Sequence, residues 1–438
     1  MCTGAPAADL RPSSSAFPIE IYETIIDNVK NSSDQEAESG VVPRTLARCA
    51  RTCQAWLPRS RLCLYRTIYL EHLTASASAI ANTVKLRRLA QTIQVCPHLR
   101  DLVEDLFFTQ YPPVDSNLIH PMYNLLPFFS RVCHLSLAHS AMDSDVLLVC
   151  CTGLASLHME AVQFDIHFQS FLDCLSGMKQ LRSLLLRDVS WKILVRDTPL
   201  TVTARYAECA PHVTYLGCFE LDRNWAEMLT EIFAPHLKQL EWGALGDNRP
   251  WFDPDARREL SQLESLTISH RSDCIAHFLE TIVGWPGRLE RLHTITIVQA
   301  DGRNAYAFPT RWVFPDSGRV QEMILAATGP ALARVTVVCE GERWGPSAHP
   351  WHNSDMARVF EDCREQQFPE LDMRGVLRVA VATERKDLSD TTHSGMLLSG
   401  GRARMRICVW RERSAGAVEL TELFAPTVLA AVMEVLGG

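Results

Sequence analysis

The segment LESLTI, residues 263–268, carries apolar side chains at its first, fourth and sixth positions. An apolar-x-apolar pair is the alternation of a half-buried β-strand. The same spacing returns from about residue 100 onward, with starts that lie 22 to 40 residues apart. A motif that recurs at such periods indicates a repeat architecture in which each copy is one structural unit. The other copies are VCHLSL (132–137), LASLHM (154–159), LRSLLL (181–186), VTYLGC (213–218), LKQLEW (237–242), LHTITI (292–297) and LARVTV (332–337).

Three more segments extend this series: VEDLFF (103–108) precedes it, and LRVAVAT (377–383) and MRICVW (405–410) are candidates to close it. Amphipathic segments with helical spacing lie between the predicted strands. In one of them Glu227 stands three residues after Asn224, which predicts a capping box. Strands that alternate with helices predict an α/β fold with parallel strands and helical crossovers. The predicted helices are DIHFQSFLDCLSG (165–177), NWAEMLTEIF (224–233), SDCIAHFLETIVG (272–284) and NSDMARVFEDC (353–363).

Over roughly residues 100 to 385 the pattern resembles leucine-rich repeats, and this resemblance implies a solenoid of parallel strands. The position where such repeats often carry asparagine or cysteine holds other residues here, so an asparagine ladder is not available and an irregular solenoid is expected. These residues are Ser140, Val162, Val189, Leu221, Leu245, Arg271 and Ala300. The alternative is a doubly wound α/β domain, whose buried strands would show similar leucines. The many returns of one motif, without a phosphate-binding glycine loop, favour the solenoid.

The N-terminal segment FPIEIYETIIDNVK, residues 17–30, has the pattern of a short and very apolar helix. Pro18 suits its first turn, and Glu20 complements the positive end of the helix dipole. A second apolar helix is predicted in VVPRTLARCARTCQAWLP (41–58), and RLCLYRTIYL (61–70) leads into a first strand. Helices this short bury too little surface to be stable alone. We therefore expect their apolar face to pack on the rest of the chain or on a partner.

Residues 17–70 resemble an F-box of the variety common in fungal proteins. FPIEIYETIIDNV matches its proline-x-glutamate-isoleucine opening, LARCARTCQAW its cysteine/cysteine/tryptophan helix, and LYRTIYL its closing leucine-tyrosine-arginine. The chain departs from the pattern at Phe17, where leucine is usual, and at Thr52, where valine is usual. The resemblance implies binding of a Skp-family adaptor and, through it, of a cullin-RING ubiquitin ligase. The implied adaptor-facing residues are Pro18, Ile19, Ile21, Ile25, Leu46, Cys49, Cys53 and Trp56.

Four long loops follow predicted strands, at residues 243–256, 301–318, 340–355 and 384–404. In a stack of parallel strands such loops leave from one edge and converge in space. Tryptophan, tyrosine and arginine are typical of interface hot spots, so these loops are predicted to bind a protein target. The alternative is that their aromatic side chains cover the ends of the solenoid core. The candidate target-binding residues are Trp251, Phe252, Tyr306, Arg311, Trp312, Arg343, Trp344 and Trp351.

Composition is that of a globular chain: 438 residues, 47% of them hydrophobic, with a formal net charge of -8. No block of like charges occurs, so neither a nucleic-acid partner nor a membrane surface is expected. The 15 cysteines never fall in CxxC spacing, which favours a reducing, cytoplasmic or nuclear compartment. The N-terminus lacks the pattern of a secretory signal, and no apolar run reaches the length of a membrane span.

Catalytic motifs are not found in the sequence: there is no nucleophile elbow, HExxH or Walker loop. His349 and His352 have a chelating spacing, but without a further ligand set a solvated loop pair is predicted, and no metal or cofactor is expected. The predicted organisation is a disordered N-terminus (1–16), the F-box-like module (17–70), the repeat domain (71–385) and a C-terminal loop, strand and capping helix (386–438). The predicted function is a non-catalytic substrate receptor of a ubiquitin ligase. The alternative is a scaffold outside ubiquitination, whose N-terminal helices only cap the repeats.

Overall fold

The computed structural model describes sixteen stretches of the chain. They are residues 19–31, 41–52, 54, 56–72, 88–110, 128–142, 153–193, 206, 212–245, 260–271, 289–300, 317–328, 331–341, 361–385, 404–409 and 418–423. The chain divides into two compact units. The first unit comprises Met1–Leu137 and Val149–Leu154, and the second comprises Ala138–Leu148 and Ala155–Gly438.

The first unit begins with three helices and continues into parallel strands. The helices are α1 (Ile19–Asn31), α2 (Val41–Thr52) and α3 (Leu57–Tyr65), and the strands are β1 (Thr67–His72), β2 (Asp105–Gln110) and β3 (His134–Ala138). Pro58 lies in the first turn of α3, where its missing N–H costs no hydrogen bond. Strand β1 runs parallel to β2, with Thr67 opposite Asp105. Residues 88–95 are helical and are followed by a 3₁₀ turn at Pro97–Leu102.

The described residues of the second unit form strands with helices between them. The strands are β4 (Ala141–Met142), β5 (Ser156–Glu160), β6 (Gln163–His167), β7 (Ser183–Arg187), β8 (Ser190–Ile193), β9 (Tyr215–Asp222), β10 (Gln239–Leu245), β11 (Ser265–Arg271), β12 (Thr294–Ala300), β13 (Arg334–Gly341), β14 (Leu377–Arg385), β15 (Arg404–Val409) and β16 (Val418–Leu423). The helices are α4 (Phe168–Gly177), α5 (Arg223–Phe233), α6 (Ser317–Ala327) and α7 (Pro369–Met373). Strands β5, β7 and β9 to β14 are parallel neighbours in that order.

The repeated motif fixes where each strand starts. LESLTI begins at residue 263 and β11 begins two residues later, at Ser265; the same offset holds for β2, β3, β5, β7, β9, β10, β12 and β13. Its apolar pair, Leu266 and Ile268, is buried at 1% and 0% exposure. The residue before each of β1, β2, β5, β7 and β9 to β12 forms a rung, since its carbonyl accepts two successive N–H groups of the next repeat. Lys238 O, for example, accepts from Glu264 N at 2.7 Å and Ser265 N at 3.0 Å.

The predicted α/β class and its parallel, leucine-rich-repeat-like strand stack are thus confirmed. The predicted strands VEDLFF and LRVAVAT correspond to β2 and β14. MRICVW also forms a strand, β15, but β15 pairs with β14 in the antiparallel sense. It therefore ends the parallel series and is not a further repeat.

Backbone bonds replace the missing asparagine ladder. His139, Ala161, Asp188 and Glu220 have φ values of 52°, 49°, 49° and 50°, and each directly precedes a position where leucine-rich repeats often carry asparagine. Ala161 N donates to Arg187 O at 2.8 Å, and Asp188 N donates to Phe219 O at 2.9 Å. These residues form the corners between successive strands within a repeat, and their left-handed conformation points each N–H group toward the next repeat. The corners in this part of the solenoid therefore share one backbone conformation, although they share no residue type.

Ala161→Gly is expected to stabilise the protein by about 0.5–1 kcal/mol. The left-handed conformation costs a residue with a Cβ about 1–2 kcal/mol, and the extra chain entropy of glycine offsets about half of that. Chemical denaturation measures the free energy of unfolding. Ala138→Gly is the control, because Ala138 lies in β3 and glycine in a strand only destabilises. Equal effects of the two changes would contradict the explanation.

Three local predictions need correction. The N-cap of α5 is Asp222, whose side chain accepts from Asn224 N at 2.9 Å, so the cap precedes the predicted Asn224. Helix α4 begins at Phe168, because residues 163–167 form β6, which pairs with β4 and β8 in a second parallel sheet. Helix α6 occupies residues 317–327, where no helix was predicted. The predicted helix at 272–284, most of the one at 353–363, and residues 424–436 of the predicted C-terminal helix LFAPTVLAAVMEVL (423–436) lie outside the described residues; Leu423 is the last residue of β16.

An aromatic cluster forms part of the core of the second unit. Trp191 stacks on Phe164 at 5.8 Å between ring centroids, and Phe168 meets Trp191 edge-on at 4.9 Å and Trp225 at 4.3 Å. The five rings come from β6, α4, β8 and α5, so the cluster joins the second sheet to two helices. Its members are Phe164, Phe168, Phe171, Trp191 and Trp225.

Candidate functional site

Helix α1 presents large apolar side chains at the surface of the first unit. Ile19 is 53% exposed, Ile21 43% and Ile25 42%, whereas Ile26 on the same helix is fully buried. Ile21 and Ile25 are one helical turn apart and therefore lie on a common face. Three isoleucines exposed on one short helix are unusual enough to indicate an interaction surface. We refer to Ile19, Ile21 and Ile25 as the α1 patch.

Contacts with α3 and its N-terminal flank hold α1 in place behind this patch. Arg59 in α3 forms a bidentate ion pair with Asp27, with N–O distances of 2.8 and 2.6 Å. The ring of Tyr22 lies 5.8 Å from that of Trp56. A bidentate guanidinium–carboxylate pair fixes orientation more firmly than a single hydrogen bond. The exposed isoleucines therefore belong to a helix that is already anchored on its other side.

The predicted adaptor-facing residues do not all reach the surface. Leu46 and Cys49 of α2 are 2% and 9% exposed, so they are packed inside the helical module. Trp56 is half-buried. Pro18 and Cys53 lie outside the described residues. The assignment of adaptor contacts to these positions stays a prediction, with the α1 patch as its exposed part.

All eight predicted target-binding residues lie outside the described residues. They are Trp251, Phe252, Tyr306, Arg311, Trp312, Arg343, Trp344 and Trp351. The convergence of the four loops therefore also stays a prediction, as does the histidine pair His349 and His352.

Polar and aromatic side chains lie on the face of strands β5, β7, β9 and β10 that is opposite the leucine core. The Arg187 guanidinium lies 5.1 Å from the centre of the Phe219 ring and 4.0 Å from the Glu160 carboxylate. Leu185 closes over Gly217, since a Cβ at that glycine would meet Leu185 Cδ1 at 2.3 Å. These side chains come from neighbouring strands and form one surface, which we call the open face. This surface could not be predicted from the sequence, because its members do not share a motif.

Two titratable side chains of the open face form a hydrogen-bonded pair. The Tyr215 hydroxyl donates to the Glu241 carboxylate, which alone would lower the pKa of Glu241. Burial has the larger effect and raises the pKa of Glu241 above its usual value. Burial likewise raises the pKa of Tyr215 and lowers that of His158. Folding therefore disfavours ionisation of the Glu241 carboxyl relative to the unfolded chain.

Glu241→Gln is expected to make the protein more stable than the wild type at pH 7. The raised pKa means that Glu241 contributes stability below its unfolded pKa, near 4.5, and loses it as pH rises through the folded pKa. Glutamine keeps the acceptor for Tyr215 but carries no charge. The difference in unfolding free energy between variant and wild type should grow from pH 4.5 upward. Glu290→Gln, at an exposed carboxylate, is the control; a parallel pH profile for Glu241→Gln and the wild type would exclude the mechanism.

A basic cleft of about 430 Å³ lies at the start of β7, β9, β10 and β11. The imidazoles of His212 and His236 stack at 4.0 Å, with Arg182 and Lys238 beside them. Burial lowers the pKa of His236, and His212 and Arg182 lower it further. Lys238 also pairs with Glu264 at 2.9 Å. The cleft thus brings together side-chain nitrogen donors from successive repeats, although these residues are distant in the sequence.

No family model matches the chain, and no curated protein matches it. Among solved structures, the chain is similar to an internalin (inlF) from Listeria monocytogenes, with 12% identity and a TM-score of 0.26 over 58% of this chain and 55% of that one. It is also similar to a protein from Bacteroides fragilis, with 11% identity and a TM-score of 0.30 over 53% and 68% of the two chains. The chain thus spans 55% of the internalin. TM-scores this low establish no shared fold, and the α/β assignment rests on the strand pairing.

None of the helices within the described residues is long and apolar enough to cross a bilayer.

Proposed function

We propose that this chain is the substrate-recognition subunit of a Skp/cullin/F-box ubiquitin ligase in the cytoplasm or nucleus. Its N-terminal helices bind the Skp adaptor, and its repeat domain binds a protein target. The α1 patch carries this proposal, because Ile19, Ile21 and Ile25 are 53%, 43% and 42% exposed on an anchored helix. The face formed by Ile21 and Ile25, one helical turn apart, fits a hydrophobic groove on a partner.

The mechanism of such a subunit is proximity. The chain makes and breaks no covalent bond; it raises the effective concentration of the target beside a charged conjugating enzyme. This role needs two surfaces on one chain, one for the adaptor and one for the target. The α1 patch of the first unit and the open face of the second unit supply two candidates on separate units.

The target-binding part of the proposal rests on two sets of residues. One is the predicted set of loop aromatics and arginines. The other is the open face, where Arg187 and Phe219 combine the residue types that interface hot spots use. Both favour a protein as the target, because a parallel-strand stack offers a broad surface and not a deep small-molecule site.

A scaffold outside ubiquitination is the second candidate. Helix α3 ends at Tyr65 and β1 begins at Thr67, so the helices directly precede the first strand of the described sheet. A repeat stack needs such a terminal cap. In that case the α1 patch would bind a different partner or none.

Co-expression with a Skp adaptor separates the two candidates. A ubiquitin-ligase receptor should elute with the adaptor as a stable one-to-one complex in size-exclusion chromatography. A scaffold should elute alone with its repeat domain folded. Capture of bound proteins from cells, with and without proteasome inhibition, then identifies the target, since a degraded target accumulates only under inhibition.

A further inference from the structure

Three side chains with metal-binding atoms meet at the edge of the first unit where β2 and β3 begin. Asp105 is the first residue of β2, Cys133 directly precedes β3, and His134 is the first residue of β3. A carboxylate oxygen, the thiol sulfur and an imidazole nitrogen from these residues all lie within 4.8 Å of one another. Cys133 and Asp105 are half-buried, and His134 is exposed.

The strand register produces this grouping. Successive strands start side by side, so Asp105 and His134 occupy equivalent positions on neighbouring repeats. His134 N and Cys133 N both donate to the carbonyl of Glu104, at 3.1 and 2.9 Å. These two hydrogen bonds fix the backbone of Cys133 and His134 relative to Glu104, the residue before Asp105. Three ligands on rigid strand starts are a better preorganised set than the same residues on a loop.

The distance between His134 and Asp105 requires only a small contraction to hold an ion. His134 Nε2 is 4.0 Å from Asp105 Oδ1. In a tetrahedral zinc site with Zn–N and Zn–O bonds of about 2.0–2.2 Å, the two ligand atoms lie roughly 3.3–3.5 Å apart. The His134 side chain is 54% exposed. A small rotation of its ring can therefore shorten this distance by the few tenths of an ångström required, without disturbing the core.

A hydrogen bond orients the carboxylate for this role. Thr67 Oγ1 donates to Asp105 Oδ2 at 2.9 Å, which leaves Oδ1 directed at the histidine. Outer hydrogen bonds of this kind are typical of metal sites, where they hold the ligand in its binding orientation. The neighbouring Glu104 is neutralised by Arg66 at 2.8 Å. The uncompensated negative charge at the cluster is therefore that of Asp105.

We propose that Asp105, Cys133 and His134 bind a zinc ion. Thiolate and imidazole ligands select zinc over magnesium or calcium, which prefer all-oxygen sites. Three protein ligands leave a fourth position for water or for a side chain of a partner. An ion at this place links the starts of β2 and β3, and through Thr67 also that of β1. Zinc binding at this cluster does not depend on adaptor binding at the α1 patch.

Cobalt titration of the full-length protein tests the proposal. Cobalt replaces zinc in such sites and gives a thiolate-to-metal charge-transfer band together with the visible spectrum of a tetrahedral ion. The wild type should show both with one equivalent of Co²⁺, and added Zn²⁺ should abolish them. Cys133→Ser should remove the charge-transfer band. Cys96→Ser is the matched control, since Cys96 is a half-buried cysteine of the same unit outside the cluster.

Two further variants separate ligation from folding. His134→Ala changes an exposed side chain and should weaken Co²⁺ binding at least tenfold while circular dichroism stays the same. Thr67→Val removes only the orienting hydrogen bond and should weaken binding about tenfold. A charge-transfer band that survives both Cys133→Ser and His134→Ala would overturn the proposal. So would the absence of stoichiometric Co²⁺ binding by the folded wild-type protein.

Discussion

Phe168→Ala is expected to lower the free energy of unfolding by about 3–5 kcal/mol, as large-to-small changes of buried aromatic residues do. Phe168 is 1% exposed and is the first residue of α4. Its ring lies 4.9 Å from that of Trp191, 4.3 Å from that of Trp225 and 6.1 Å from that of Phe171. Alanine would leave a cavity that three large and rigid rings cannot fill.

Phe168→Leu separates loss of volume from loss of ring contacts. Leucine retains most of the apolar bulk but not the edge-on contact with Trp191, so its cost should be roughly 1–1.5 kcal/mol. Urea denaturation followed by circular dichroism and by tryptophan fluorescence measures both variants, because Trp191 and Trp225 report directly on the cluster. A loss below about 1 kcal/mol for Phe168→Ala would show that the second sheet is not held by these rings.

Much of the strand architecture could be predicted from the sequence because the motif encodes a local property. Leu263, Leu266 and Ile268 recur with fixed spacing, and in β2, β3, β5, β7 and β9 to β13 the strand begins two residues after the first apolar residue of the motif. The corners could not be predicted in this way. Ala161 and Glu220 adopt left-handed φ values, yet neither is glycine, asparagine or aspartate, the residue types that signal this conformation. Backbone hydrogen bonds between repeats impose it, and these have no sequence signature.

The α1 patch shows the limit of helical periodicity. Spacing predicts that Ile21, Ile25 and Ile26 belong to an apolar region of α1, but it does not tell which stripe α2 and α3 cover. The structure buries Ile26 and leaves Ile21 and Ile25 at the surface. Sequence motifs also do not predict which residues of neighbouring strands meet. Asp105 and His134 are brought together by strand register, and no motif pairs them.

The double change Ile21→Lys and Ile25→Lys is expected to weaken adaptor binding at least 100-fold. Each isoleucine is more than 40% exposed, so its replacement leaves the packing of the helical module intact. Lysine is a good helix former and balances the acidic Glu20 and Glu23 of α1. At a bound interface, however, each ammonium would have to be desolvated without a partner, and two hot-spot losses of about 2 kcal/mol each would exceed the roughly 2.8 kcal/mol that corresponds to a 100-fold loss.

Val95→Lys provides the matched control for this double change. Val95 is 79% exposed and lies in the first unit, so it tests whether an added lysine at any exposed apolar position weakens the complex. Isothermal titration with the purified adaptor measures all three proteins, and circular dichroism verifies that each is folded. Undiminished adaptor binding by the folded double variant would place the adaptor surface elsewhere. Equal losses in the double variant and Val95→Lys would mean that the effect is one of added charge and not of the α1 patch.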